Sequence, residues 1–314
     1  TKEMKTKPLT FLLALTFLFL FSGSSVVFAG DYEDGMAAGR KGDCKTLVEK
    51  LRLSAEQSHP KAQFTLGVLH GGGKCVKKDR KESMRWYHKA AEQGHVEAQN
   101  LLGINYFEGF SVLKNYKEAY KWSHKAAEQG HKDAQFQLCL LYFEGLGVSN
   151  DFKEAATWCL RAAKQGNKEA QTMLGSMYSQ GQGVVQDEEE AAKWNLLAAK
   201  QGVPHAQASA CLMYSSGLGV KKDLPKAIKW CRLAAKQGNS LAQSTLDKLV
   251  SEMAGAVIKK EGNNGSAKDF LTDEQLILND KAPILLECKT IKIKFVETDI
   301  IKFYPTIRKL IWAE

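Results

Sequence analysis

The stretch "NYKEAYKWSHKAAEQGHKDAQFQL", residues 115–138, reads as an amphipathic helix, a turn marked by Gly130 and the start of a second helix. Its text returns as "DFKEAATWCLRAAKQGNKEAQTML" 36 residues later, and as "DLPKAIKWCRLAAKQGNSLAQSTL" 72 residues after that. A chain that repeats itself at a fixed spacing of this size builds an array of like units.

Five units of 36 residues run 59–94, 95–130, 131–166, 167–202 and 203–238. Trp86, Trp122, Trp158, Trp194 and Trp230 hold the register. Ala-Gln recurs near the start of each unit, from Ala62-Gln63 to Ala206-Gln207, and each unit closes on Gln-Gly, from Gly94 to Gly238. In the first helix of a unit, Ala98, Leu102 and Tyr106 fall at i, i+4 and i+8, a single apolar stripe. Gly103, beside that stripe, lets a second helix come close. Gly145 and Gly147 in the bend "EGLGVSND" (144–151) supply positive-φ conformations for the reversal. Asp151 then offers a side-chain oxygen to cap the second helix, whose inward stripe is Ala155, Trp158, Ala162 and Ala163. Two such helices cannot bury both stripes alone, so neighbouring units must stack.

The shared pattern A-x₃-L-G-x₂-Y-x₂-G-x-G-V-x₂-D-x₃-A-x₂-W-x₃-A-A-x-Q-G over 59–238 resembles the Sel-one-like repeat family, relatives of tetratricopeptide arrays. The resemblance implies an all-α fold: a right-handed α/α superhelix (solenoid) of five 36-residue helix-turn-helix repeats with terminal caps. It also implies a protein-interaction scaffold rather than an enzyme. The first repeat departs most, with His70 for Tyr and Cys75 for a bend Gly. The fifth has Ala210-Cys211 for Leu-Gly. Residues 30–58 read as an N-terminal helical cap and 239–260 as a C-terminal capping helix.

Outside the array, Lys5 and Lys7 precede an apolar run, Leu9 to Phe21, that leads to Val27-Phe28-Ala29. That layout predicts a secretory signal peptide over 1–29, and the run is short for a bilayer span. The expectation is an exported protein, periplasmic or secreted, with no integral span in the mature chain. Residues 261–314 open on the linker-like "EGNNGS" and form a non-repeat appendage of unknown role.

The repeat frame sorts the seven cysteines. Cys139 and Cys159 hold the ninth and twenty-ninth places of the third repeat, and Cys211 and Cys231 the same places of the fifth. Paired gain at two places on antiparallel helices predicts two disulfides, Cys139–Cys159 and Cys211–Cys231. Cys44 in the cap and Cys75 in the first bend fall at the same end of adjacent units, which predicts Cys44–Cys75. Cys288 is left over.

Chemistry is sparse. Ser58-His59-Pro60-Lys61 and Ser111-Val112-Leu113-Lys114 satisfy S-x-x-K. Neither is accompanied by S-D-N or K-T-G, and both fall in turns. No catalytic residue is expected, and a β-lactam-interacting hydrolase is the least favoured reading. His88 and His124 share one place, His95 and His131 another, but Asn167 and Asn239 fill the latter in other units. A polar residue opening the helix suffices there, so no metal and no cofactor is expected. Net charge is +9, from 44 basic and 35 acidic residues. The bases interleave with carboxylates, which disfavours nucleic acid and leaves an envelope glycan or membrane surface as the alternative partner.

The remaining signal is apolar. At 100° per residue, the sixth, tenth and thirteenth places lie opposite the shared stripe. Phe64 and Val68 occupy them in the first repeat, Ile104 and Phe107 in the second, and Phe136, Leu140 and Phe143 in the third. Similarity to tetratricopeptide arrays implies that these places line a concave groove, bordered by Glu97, Asn100, Glu108, Asp133 and Glu144. The expected partner is a protein or peptide, held by a monomer.

Overall fold

The computed structural model describes residues 30–261. The signal-peptide reading, Cys288 and nearly all of the appendage therefore lie outside the described residues. The chain divides into two units, 1–254 and 255–314, and the repeat array belongs to the first. After α1 (30–40) come α2 (Cys44–Glu56), α3 (Pro60–Gly72), α4 (Arg80–Glu92), α5 (Val96–Glu108), α6 (Tyr116–Glu128) and α7 (Lys132–Glu144). Next in order are α8 (Phe152–Lys164), α9 (Lys168–Gln180), α10 (Glu188–Lys200), α11 (Pro204–Ser216), α12 (Leu224–Lys236) and α13 (Ser240–Glu261). Among the described residues there is no strand. From α2 to α12 each helix packs on its sequence neighbour, and α7 also touches α5 and α9. This is the all-α repeat fold the period predicts.

Local chemistry fixes each helix end. Asp79, Asn115, Asp151, Asp187 and Asp223 cap the second helices, each accepting a backbone N–H two or three residues on. His59, His95 and His131 cap first helices through Nδ1, and Asn167 and Asn239 do the same through Oδ1. Val203 makes no side-chain cap. Every first helix of a unit ends on a glycine with φ between 68° and 83°, a left-handed conformation that costs glycine little.

The core runs along the array. Leu66, Leu102, Leu138 and Leu174, all at the eighth place, are at most 1% exposed. Burying each contributes about 2 kcal/mol. The ninth and twenty-ninth places meet in every unit. A Cβ on Gly67 would strike Tyr87, one on Gly103 would strike Ser123, and one on Gly175 would strike Asn195. In the third and fifth units this glycine is a cysteine bonded across the same contact. Disulfides join Cys139 to Cys159 with Cα atoms 5.1 Å apart, and Cys211 to Cys231 at 4.9 Å.

An amide relay, buried at its Ala-Gln end and exposed at its Gln-Gly end, links unit to unit. Gln135 donates to Ala127 O of the preceding second helix at 3.1 Å, and its Oε1 accepts from Gln165 at 2.8 Å. Gln165 also donates to Gly130 O, 2.9 Å away. The relay recurs through Gln63 and Gln93, Gln99 and Gln129, Gln171 and Gln201, and Gln207 and Gln237. The Ala-Gln and Gln-Gly marks of the sequence are its two ends.

The bends make a third joint. Gly147, Gly183 and Gly219 lie on the backbone of Tyr116, Phe152 and Glu188, each the first residue of the preceding unit's second helix. In the first unit Cys75, with φ 65°, takes that glycine's place. It is bonded to Cys44, the first residue of α2, with Cα atoms 5.0 Å apart. All three cysteine pairs expected from the repeat frame are formed.

Candidate functional site: the open face of the first helices

Alanine, leucine, glycine and glutamine of the first helices are consumed by stacking, and what stays open lies on the far side of each. At the third place stand Glu97 and Asp133, both exposed. At the tenth, Val68 is 44% exposed and Leu212 39%, while Ile104 and Leu140 are half-buried. At the fourteenth, Glu108 is exposed and Glu144 half-buried. Burial pushes the Glu144 carboxyl above the ordinary glutamate value. Asp133 accepts a hydrogen bond from Asn167, 2.8 Å away, which fixes it across the joint between units. The result is an apolar row with carboxylates at both ends of the helix in the second and third units, while the first unit has the exposed Lys61 at the third place.

Two residues expected on this face are not there. Phe143 is only 6% exposed. The bend carries the start of α8 back over the last turn of α7, and Phe152 closes on Phe143 with ring centroids 5.1 Å apart. The same pairing covers the thirteenth place elsewhere. Phe107 meets Tyr116 at 5.5 Å and is half-buried, and Ser179 bonds Glu188 at 3.4 Å. Asn100 is 7% exposed; it is the short member of a row whose neighbours at that place are Phe64 and Phe136, both half-buried, so it sits below them. Leu101 and Met173, half-buried at the seventh place, adjoin the open row. Periodicity does not reveal them, because the seventh place carries no shared residue type.

The other candidates resolve into structure. His88 packs edge-on against Trp122 with centroids 5.6 Å apart and lies 3.1 Å from the Tyr106 hydroxyl. His124 packs on Trp158 in the same way, at 5.8 Å. Burial pushes the imidazoles of His59, His88 and His95 below their ordinary value. Ser58 sits in the turn before α3 with φ 66°, its N–H bonded to Ala55 O. Among the described residues no three His, Cys, Asp or Glu side chains gather as a metal site, and no helix is long and apolar enough to cross a membrane.

The Sel1 repeat matches residues 60–95, 96–131, 132–167, 168–203 and 204–239. These are the five 36-residue units with the frame set one residue later. Among solved structures, a protective antigen of uropathogenic Escherichia coli strains with an SLR fold is 37% identical, with a TM-score of 0.61. The likeness covers 64% of this chain and 43% of that one, so it spans less than half of the Escherichia coli chain. A Sel1 repeat protein from Oxalobacter formigenes is 34% identical with a TM-score of 0.61, covering 69% of this chain and 86% of that one. No curated protein sequence matches the chain.

Proposed function

Because this chain belongs to the Sel1 repeat family, whose members are generally non-catalytic protein-interaction scaffolds, we propose that it is an exported docking protein that holds a partner polypeptide along its first helices. The single observation that carries this reading is the open row itself. Val68, Ile104 and Leu140 leave apolar surface that stacking does not use, bordered by Glu97, Glu108 and Asp133. In a chain of net charge +9, a local surplus of carboxylates is a selective feature. It suits a segment that alternates apolar side chains with lysine or arginine, apolar contact supplying affinity and charge supplying register.

Three disulfides support export, since such bonds persist in oxidising compartments. The leader-like residues 1–29 agree with it. Similarity to a protective antigen is in keeping with an exported place.

The test is a pair of variants read against a captured partner. Leu140→Ser with Ile104→Ser removes apolar surface, and Glu97→Lys with Asp133→Lys reverses the border. Each is expected to weaken partner binding at least tenfold while the helical spectrum is retained. Binding unchanged in both would remove this face from consideration.

A further inference from the structure

The second bend departs from the others, and its departure exposes apolar surface on a different edge of the array. Where the third, fourth and fifth units set a glycine against the preceding helix, the second has Ser111, whose Cβ cannot fit such a contact. The bend is held instead by the Arg80 guanidinium, which donates to Phe110 O at 3.4 Å. Its far end is fixed by Asn115 N–H on Tyr106 O at 2.8 Å. Between these anchors Phe110 stands 63% and Leu113 92% exposed. The Arg80 contact also sets this bend beside that of the first unit. Lys77, Lys78, Arg80, Lys81, Lys114 and Lys117 are all exposed around the pair. Of the carboxylates nearby, Asp79 caps α4, Glu82 pairs with Arg85 and Glu118 with Lys121; Glu108 stands exposed two residues before Phe110, so the six bases face four carboxylates.

We propose that this edge docks on an anionic lipid bilayer, with Phe110 and Leu113 inserted at the headgroup boundary and the six bases lying over the phosphates. Two protruding apolar side chains inside a cationic ring have the composition of an interfacial anchor. Each base held near an anionic surface raises partitioning by roughly fivefold. The fold holds its own control. Val185, at the same repeat place as Leu113, is 87% exposed, but its bend, residues 181–190, carries Asp187, Glu188, Glu189 and Glu190 and no lysine or arginine, so an anionic surface does not attract it. None of the open-face residues takes part, so lipid docking and polypeptide docking can each fail without the other.

The experiment measures depth locally, so that binding through any other segment does not enter it. A nitroxide is placed on Leu113→Cys, and separately on Val185→Cys, in the full-length Cys288→Ser chain. Accessibility to oxygen and to a water-soluble nickel chelate is read on vesicles of phosphatidylcholine, with and without phosphatidylglycerol. The label at 113 is expected to enter the bilayer only when phosphatidylglycerol is present, while the label at 185 stays in water. Lys77→Glu with Lys78→Glu is expected to reduce insertion at least tenfold. A label at 113 that remains in water, inserts equally without phosphatidylglycerol, or is indifferent to the lysine reversal would overturn the proposal. So would displacement from the vesicles by a soluble acidic peptide at equal charge, which would identify a protein partner instead.

Discussion

Cys139 on α7 and Cys159 on α8 are bonded across the contact that Gly103 and Ser123 make by close approach one unit earlier. Both cysteines are fully buried, so the bond and the glycine are two solutions to one packing constraint. A closed loop with a separation of 20 residues stabilises by about 3 kcal/mol in the chain-entropy model. Cys139→Ala with Cys159→Ala is therefore expected to lower unfolding free energy by about that amount, with the helical spectrum intact. Denaturant titration checks it; an unchanged midpoint would contradict the assignment.

The amide relay carries a sharper consequence for the joints. Gln135→Leu keeps the volume but leaves the buried Ala127 O without its side-chain partner, while the exposed Gln165 amide keeps Gly130 O. Orphaned buried polar groups cost about 2 kcal/mol in such a setting. Because stability in an array includes nearest-neighbour terms, exchange protection should fall first at the joint between α6 and α7. Uniform loss across all units would show that the relay is not a local joint.

The glycines of positive φ divide into two kinds. Gly94 has φ 87° with nothing near the place of a Cβ, so Gly94→Ala costs about 1 kcal/mol of backbone preference alone. Gly183 has φ 72° and lies on the Phe152 backbone, so Gly183→Ala must also push two units apart. The second substitution is expected to lower the melting temperature several degrees more than the first. Equal effects would mean that the bend does not carry the joint.

Acid is expected to weaken the first two units. His59 and His95 cap helices by accepting at Nδ1, which only the unprotonated ring can do. Burial holds His59, His88 and His95 below the ordinary histidine value of 6.5. The folded state thus binds fewer protons than the unfolded one, and the stabilisation is complete above the unfolded pKa. It is lost as pH falls through the depressed folded values. Melting temperature should be level above pH ~7 and decline below pH ~6. His59→Asn with His95→Asn, which installs the cap Asn167 already provides, should flatten the decline.

Much of this fold was legible because each unit could be checked against four other copies in the same chain. The period set the helices, the ninth and twenty-ninth places set two disulfides, and Asn167 and Asn239 explained the histidines as caps. The relay of Gln135 and Gln165 was visible only as a spelling, since its geometry belongs to the joint between units. Phe143 misled for a related reason. A helical wheel treats α7 alone, whereas Phe152 returns from the next helix to cover it. Phe110 and Leu113 have the spelling of ordinary bend residues, and only the contact missing at Ser111 sets them apart.

The proposed function rests on the open face of the first helices holding a polypeptide. The most direct measurement places a photo-crosslinking phenylalanine derivative at Leu140, on that face, and at Thr157, exposed on α8, in the cells that make the protein. Illumination is expected to give a discrete polypeptide adduct from position 140 that Glu97→Lys with Asp133→Lys suppresses, and none from position 157. No adduct at 140, or equal adducts from both positions, would contradict a docking role for this face.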